Sequence, residues 1–430
     1  MTQNKKINFE SLILNKLPPK IYKLLKSIGI ESKKLGYSAY VVGGFVRDLI
    51  LGRPNLDIDI IIEGDGIDFA MKFAEINKGK AKSHKRFGTS VVTMKDGFKI
   101  DIVTARTEIY EHPGALPTVK FGSIKDDLYR RDFTINAMAI NLDNGDLVDF
   151  LDGMSDLKNE KIKIIHDRSF LDDPTRIFRA IRFEQRFSFN IDKQTEKLLK
   201  EAIEKDFLNT ITRQRIRNEI LLILDEENST EPLRRMEKLN LIRYIHPEIS
   251  LTKEKLSILN KIDGLKMFEN LPFLRSSEKF DYVLLRLMAL VDGLNETDFT
   301  DAIDGLFLNK RYIDNLRASF FDLPIALQQI NDDAVTLSGI YNSLKNLPLQ
   351  ALIFGIFKAM DEEAVYKLMM YLADLRKIKP FINGDDLKEL GYPESPLYTD
   401  ILSKVFDMQL DGIIENKEQA IKFIKQNYDK

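Results

Sequence analysis

Two acidic side chains stand two positions apart in Asp57-Ile58-Asp59-Ile60-Ile61-Ile62, within a run of β-branched residues. On a strand, side chains i and i+2 share a face. Asp57 and Asp59 therefore project together, while Ile58 and Ile60 turn towards a core. Carboxylates so close repel unless a cation lies between them. Hard oxygen ligands suit Mg²⁺, which is commonly held by one or two carboxylates plus substrate phosphates. Lys99-Ile100-Asp101-Ile102-Val103 repeats the pattern, so Asp101 joins the pair if the two strands are neighbours. Three carboxylates on one sheet face are the equipment for two-metal phosphoryl or nucleotidyl transfer. Against this stands the plain reading: Asp-x-Asp is a common tripeptide, and a lone strand aspartate is usually solvated.

Just upstream, Val41-Val42-Gly43-Gly44-Phe45-Val46-Arg47 reads as a strand that ends in Gly43-Gly44 and gives way to a helix. Backbone N–H groups at such a turn can cradle phosphates. Arg47, one helical turn in, can point back and neutralise a triphosphate. A lone Gly-Gly would be an ordinary connection. Here the short path to Asp57 through Leu51-Gly52-Arg53-Pro54 sets a phosphate cradle beside the carboxylates.

Two arginine clusters follow. In Arg130-Arg131-Asp132-Phe133-Thr134-Ile135-Asn136, Arg131 is placed to meet nucleotide phosphates or sugar, and Asp132 and Asn136 to brace the site or reach the ribose. A charged strand entry explains the same residues, and spacing does not separate the two readings. In Asp172-Asp173-Pro174-Thr175-Arg176-Ile177-Phe178-Arg179-Ala180-Ile181-Arg182, one of the aspartates is expected to cap a helix with Pro174 in its first turn. Arg176, Arg179 and Arg182 fall on one helical face. Three cations there call for an anionic answer, or form a solvated basic stripe.

The elements that must position these groups divide by composition. Residues 40 to 150 carry strand-like runs at Ala39–Val42, Asp57–Glu63, Thr89–Met94, Lys99–Thr104 and Thr134–Leu142. From about Asp172 the apolar spacing becomes helical, as in Lys193–Ile203, Arg213–Leu224, Pro232–Arg243 and Phe280–Val291. Nothing after residue 165 reads as a sheet, and Leu17–Gly36 reads as a helix ahead of the first strand. The fold class is thus α+β: a small mixed-sheet head followed by an all-helical part. The absence of cysteine excludes disulfides, thiolate metal sites and a cysteine nucleophile, and four scattered histidines offer no metal-ligand pair. Sixty-four Lys and Arg against 66 Asp and Glu require any basic surface to be local. No apolar run approaches a bilayer span, and the N-terminus lacks a signal peptide's features, so a cytoplasmic protein without membrane contact is expected.

Over residues 37–225 the ordered segments GGFVRD, LGRPNLDIDI, RRDFTINAMA, DFLDGMSDLKNEKI and DDPTRIFRAIRFEQRF resemble the class II tRNA nucleotidyltransferases, the CCA-adding enzyme and bacterial poly(A) polymerase family. INGDDLKELG near the C-terminus is similar to that family's tail. The resemblance implies an N-terminal helical segment (1–36), a polymerase β-like nucleotidyltransferase head (37–162), a helical neck with the nucleotide template (163–230), and an RNA-binding body and tail (231–430). It implies Mg²⁺ on Asp57 and Asp59, with Asp101 a further catalytic carboxylate or base. It implies nucleotide contacts from Gly43, Gly44, Arg47 and Arg131, a base-reading pair in Asp173 and Arg176, and support from Arg179 and Arg182. The implied substrates are CTP, ATP and tRNA, with no DNA. Asp172 stands where many members have Glu. Pro393-Glu394-Ser395-Pro396 replaces the usual glycine-rich tail turn, and 106–126 matches the family's mobile loop.

The implied template pair has its own chemistry. Cytosine offers an amino donor beside the N3 acceptor, and adenine an amino donor beside N1. A carboxylate accepts and a guanidinium donates, so Asp–Arg complements both edges. Uracil and guanine present the reverse and leave buried polar groups unpaired. The alternatives left open are CC-only or A-only addition, poly(A) synthesis, a protein- or antibiotic-modifying enzyme, and an inactive RNA-binding module.

Overall fold

The computed structural model describes residues 16–85, 88–265, 280–332, 334–359 and 361–428. The chain forms two compact units, Met1–Glu219 and Ile220–Lys430. In the first, a seven-stranded mixed sheet carries the chemistry. Its strands are β1 (Ser38–Val42), β2 (Asp59–Glu63), β3 (Lys80–His84), β4 (Thr89–Thr93), β5 (Lys99–Thr104), β8 (Ala139–Asn141) and β9 (Leu147–Val148), in the order β3-β4-β5-β2-β1-β8-β9. β2 and β5 run parallel with Asp59 opposite Asp101, while β1 is antiparallel to β2 and to β8.

The isoleucine run explains why β2 is central. Ile58, Ile60, Ile61 and Ile62 are all buried, so both faces of the strand are covered. The even-numbered residues lie on the face covered by helix α1 (Pro19–Lys34) and helix α3 (Gly66–Ile76), whose Phe69 and Phe73 rings stack and are fully buried. On the other face Ile61 joins Tyr40, Val42, Ala105, Ile124 and Leu128 in a second cluster. On that face the strand's two end residues, Asp59 and Glu63, are polar; Glu63 accepts from the Tyr40 hydroxyl and the Ile124 N–H, whereas Asp59 is left to the cleft. Losing a fully buried isoleucine such as Ile60 to alanine would cost about 3 kcal/mol.

Helix α2 (Gly44–Leu51) follows β1 directly, and α4 (Ile124–Tyr129) opens with a Ser123–Asp126 capping box. Helix α5 (Arg176–Phe187) carries the arginine stripe, and α6 (Arg213–Leu224) spans the division between the units.

Several expectations are corrected. β2 begins at Asp59, two residues later than expected, although Asp101 N–H already pairs with the Ile58 carbonyl (3.1 Å). Thr134–Leu142 is not one strand: Thr134–Asn136 forms a 3₁₀ turn, since the Thr134 hydroxyl donates to Asp156 and Asn136 turns inward to Arg47 and Asp132. The segment 106–126 carries strand pairing that its sequence did not announce. Its ends pair as a hairpin, β6 (Arg106–Ile109) with β7 (Thr118–Phe121). A two-residue strand, Asn190–Ile191, does occur after residue 165, paired with Lys161–Ile162. No aspartate caps α5. Its N-cap is Thr175, and Asp173 instead accepts from the Thr175 N–H (3.0 Å).

The second unit is helical throughout its described residues. Arg286, 1% exposed, binds Asp263 and the Leu224 and Glu227 carbonyls, and Asp263 also accepts from Thr230, so residues of four helices are tied through one ion pair. The expected helix Pro232–Arg243 is Thr230–Lys238 plus a 3₁₀ turn, because Asn240 takes a left-handed conformation (φ 56°) and breaks it. A small core of Ile382, Leu387, Tyr392, Ile401, Val405, Ile414, Ala420 and Ile424 organises the C-terminal helices.

Candidate active site

A cleft of about 630 Å³ opens in the first unit. One wall is the sheet, with Val42, Asp59, Ile61, Thr89 and Val103. The other is α5, with Arg176, Arg179, Arg182 and Phe183. Gly44, Arg47, Asp57, Arg131, Asp132, Asn136 and Asp173 complete it. Of the expected residues, Gly43 and Asp101 are not part of the lining.

Asp57 and Asp59 both face this space. Asp57 is exposed and precedes β2; its N–H donates to Asn55 Oδ1 (2.8 Å), and Asn55 Nδ2 donates to Asp48 Oδ2 (2.8 Å). Asn55 thus links the carboxylate pair to α2. Asp101 lies beside Asp59 in register, on the same sheet face. Burial pushes Asp59 up to about 6, with the charges of Asp57, Asp101 and Asp127 adding and that of Arg131 opposing. Burial and the charge of Asp57 raise Asp101 as well. Among the described residues no three His, Asp or Glu side chains form a closed metal cage. Two crowded carboxylates on an open cleft are a donor set that fits Mg²⁺, which keeps positions for water and phosphate oxygens.

Gly43 is required by the turn. Its φ of 71° with ψ of −134° is closed to other residues, and a Cβ there would lie 2.5 Å from Arg131 Nη1. Arg47 is buried and committed: it forms a two-point ion pair with Asp48 (2.8 and 2.9 Å), donates to Asn136 Oδ1, and stacks on Phe187 at 4.5 Å. Arg131 donates to Asp127 Oδ2 (3.1 and 3.3 Å) and the Asn136 carbonyl (3.4 Å), beside the glycine turn.

Asp132 lines the cleft and braces it. It is buried and accepts from its neighbour's Phe133 N–H, from Asn136 Nδ2 (2.9 Å) and from Arg179 Nε (2.9 Å). Burial would raise its carboxyl, but Arg179, Asn136 and Arg176 outweigh that and hold it at about 2. Arg179 is raised by Asp132 against burial, and Glu219 also faces it at 3.8 Å. Arg182 pairs with Glu219 at 3.3 Å. The anion answering two of the three stripe arginines is therefore the protein itself.

Arg176 differs. Its Nη2 donates to the Arg130 carbonyl (2.8 Å), while its Nη1 is buried with no hydrogen-bond partner. Asp173 stands nearby on the cleft wall, its Oδ1 accepting from Thr175 Oγ1 (2.6 Å) and Arg215 Nη2 (2.8 Å).

Sequence reasoning missed Glu108, Tyr110, Asp127, Glu219, Asn55 and the role of Asp48. Glu108 accepts from Arg106 (3.2 Å), Arg130 (3.0 Å) and the Tyr110 hydroxyl (2.9 Å). The Arg106-x-Glu108-x-Tyr110 alternation was a period-2 signal that could have found this wall. Asp127, fully buried, holds both Arg130 and Arg131. Glu219 sits inside an ordinary helical pattern and carried no local signal.

A carboxylate pair on a central strand, a glycine turn feeding a helix, and an arginine-lined helix across the cleft define a nucleotidyltransferase of the poly(A) polymerase type. A poly(A) polymerase head domain matches residues 39–163, and a probable RNA- and SrmB-binding site of polymerase A matches residues 188–252. The chain is 37% identical to an A-adding tRNA nucleotidyltransferase of Geobacter sulfurreducens, covering 94% of this chain but 47% of that protein. It is 33% identical to an A-adding tRNA nucleotidyltransferase of Halalkalibacterium halodurans, covering 94% and 92%. The fold is similar to the Thermotoga maritima CCA-adding enzyme complexed with tRNA (TM-score 0.76, 33% identity, 98% of this chain and 99% of that one). The chain belongs to the class II tRNA nucleotidyltransferases. It spans about half the length of the Geobacter relative.

Proposed function

We propose that this chain transfers C and A from CTP and ATP to the 3′ end of tRNA without a nucleic-acid template, releasing pyrophosphate. The observation that carries the reading is the buried, unpartnered Nη1 of Arg176 beside Asp173, in the same cleft as Asp57 and Asp59. One donor and one acceptor there meet the shared edge of cytosine and adenine. Asp57 and Asp59 would hold Mg²⁺, which when bound neutralises the triphosphate and acidifies the attacking 3′-hydroxyl. Arg131 and the Gly43-Gly44 turn receive phosphate, with Asp127 fixing the guanidinium. Arg47, committed to Asp48 and Asn136, adds fixed positive charge rather than a mobile contact. Asp101 serves the carboxylate pair from the neighbouring strand. Asp132, Asn136, Arg179 and Arg182 position the wall rather than the substrate.

The reading includes a head (37–162), a template-bearing neck (163–230) and an RNA-binding body and tail (231–430), with 1–36 an added helical segment, in a cytoplasmic enzyme. No described helix is long and apolar enough to cross a membrane. Two relatives named for A addition favour a second reading, addition of the terminal A alone. Purified protein is given tRNAs ending at the discriminator base, at C and at CC, with each nucleoside triphosphate singly. Extension of all three supports C and A addition. Extension only of the CC-ended tRNA by ATP selects the second reading. No extension of any acceptor rejects both.

A further inference from the structure

The base-reading pair is held from outside its own helix, and the count of free groups is informative. Arg176 spends Nη2 on the Arg130 carbonyl and retains Nη1. Arg130 is itself immobilised, since its guanidinium is gripped by Asp127 (2.7 Å) and Glu108 (3.0 Å). Asp173 has one oxygen, Oδ1, engaged by the Thr175 N–H, the Thr175 hydroxyl and Arg215. That leaves Oδ2 as the acceptor facing a base. The pair is thereby reduced to one fixed donor and one fixed acceptor.

Arg215 lies in the first turn of α6, some forty residues beyond the pair. Its Nη2 reaches Asp173 at 2.8 Å and its Nη1 reaches the Gly114 carbonyl at 2.8 Å. Gly114 is fixed in turn. Its φ is 70°, its N–H bonds the Leu171 carbonyl, and a Cβ there would lie 2.4 Å from Thr210 Oγ1. Arg215 is therefore stretched between a rigid main-chain oxygen and the reading carboxylate.

We infer that Arg215 is a specificity-determining positioning residue, which locks the plane of the Asp173 carboxylate so that a base with a carbonyl at the amino position meets an oxygen that cannot turn away. This rests on the nucleotide-transfer reading above. Rejection of uracil and guanine depends on repulsion, and repulsion discriminates only while the carboxylate cannot rotate to relieve it. A carboxylate released from Arg215 still accepts from an amino group, so the correct bases lose less than the wrong ones gain.

The test compares kcat/KM for CTP, ATP, UTP and GTP on a CC-ended and a C-ended tRNA, in wild type, Arg215→Met, Arg215→Lys and Thr175→Val, with thermal melts of each. Arg215→Met is expected to narrow the preference for the correct nucleotide over UTP by ~10-fold or more. Arg215→Lys, which reaches one partner but not both, should fall between. Thr175→Val, which removes the second side-chain restraint on Oδ1, should act in the same direction and decides the matter if Arg215→Met does not fold. An equal fall for all four nucleotides, or unchanged preference in a folded variant, overturns the inference while leaving the transfer reading intact. A wild-type protein that adds neither C nor A overturns the transfer reading instead.

Discussion

The two walls of the cleft handle charge in opposite ways. On the sheet wall, Asp59 is crowded by Asp57 and Asp101 and pushed up to about 6. Its charge is incompletely answered by the protein. On the helix wall, Arg179 and Arg182 are neutralised by Asp132 and Glu219, while Arg176 keeps a buried Nη1 without a hydrogen-bond partner beside Asp173. Unanswered charge gives affinity for an ion and its phosphates without caring which base is attached. Internally balanced charge removes that general attraction and leaves geometry to choose the base. On the proposed function, one wall binds and the other selects.

The largest expected effect breaks the sheet wall. Asp59→Asn should lower nucleotide incorporation by at least ~1,000-fold, because losing a metal carboxylate removes several kcal/mol of transition-state stabilisation. The same change should stabilise the metal-free fold. A carboxylate raised in the native state binds more protons than the unfolded chain between about pH 4 and pH 6. Native stability therefore falls as pH rises through that window, by about 2–3 kcal/mol in full. Melting curves without metal should show Asp59→Asn above wild type at pH 7.5 and level with it near pH 4. Added Mg²⁺ should raise the wild-type midpoint and leave the variant unmoved. A variant no more stable than wild type at pH 7.5 would remove the claim of unanswered charge.

Breaking the helix wall should cost folding first. Asp132→Asn removes one partner of a buried pair and leaves Arg179 leaning on Glu219 alone, a loss of about 3–5 kcal/mol. Because Asp132 is held at about 2, the opposite sign applies: its contribution is present above pH 4 and is lost as pH falls towards 2. Urea midpoints of wild type and variant should therefore converge below pH 3 and stay apart at pH 7. The two aspartates thus give opposite pH slopes within one cleft, and a shared slope would erase the contrast between the walls.

Arg176→Ala sharpens the comparison while leaving the Asp132–Arg179 and Glu219–Arg182 pairs in place. It deletes the free Nη1, and the preference for ATP over UTP should shrink by ~10–100-fold, while Mg²⁺-linked melting is unchanged. Single-nucleotide incorporation rates measure it. Retained selectivity would place base choice elsewhere.

What could be read in advance follows the same divide. Strand alternation at Asp57–Glu63 and Lys99–Thr104 is a local signal, so the carboxylate face and the head's architecture were legible from periodicity and the family resemblance. The arginine stripe was also local, but its answer was not: Asp132 lies 47 residues from Arg179, and Glu219 lies 37 residues from Arg182. Such pairings depend on tertiary closure, which no spacing encodes. The same reason hid which of its two expected roles Asp132 takes, since the Arg179 it braces lies far along the chain, and hid the pairing within 106–126 that lets Glu108 grip Arg130.

The smallest expected effect lies at the joint between the phosphate turn and the carboxylates. Asn55 accepts from the Asp57 N–H and donates to Asp48, which is already paired with Arg47. Asn55→Ala leaves both metal carboxylates and every arginine in place, but frees the exposed chain just ahead of β2. Asp57 would then be ordered by strand pairing from Ile58 onward alone, and a slightly misplaced ligand costs rate more than binding. Incorporation should fall ~10-fold in kcat with little change in nucleotide KM, and raised Mg²⁺ should recover part of the loss. An unchanged kcat would show that β2 by itself orients Asp57, and that the sheet wall needs no help from the glycine turn.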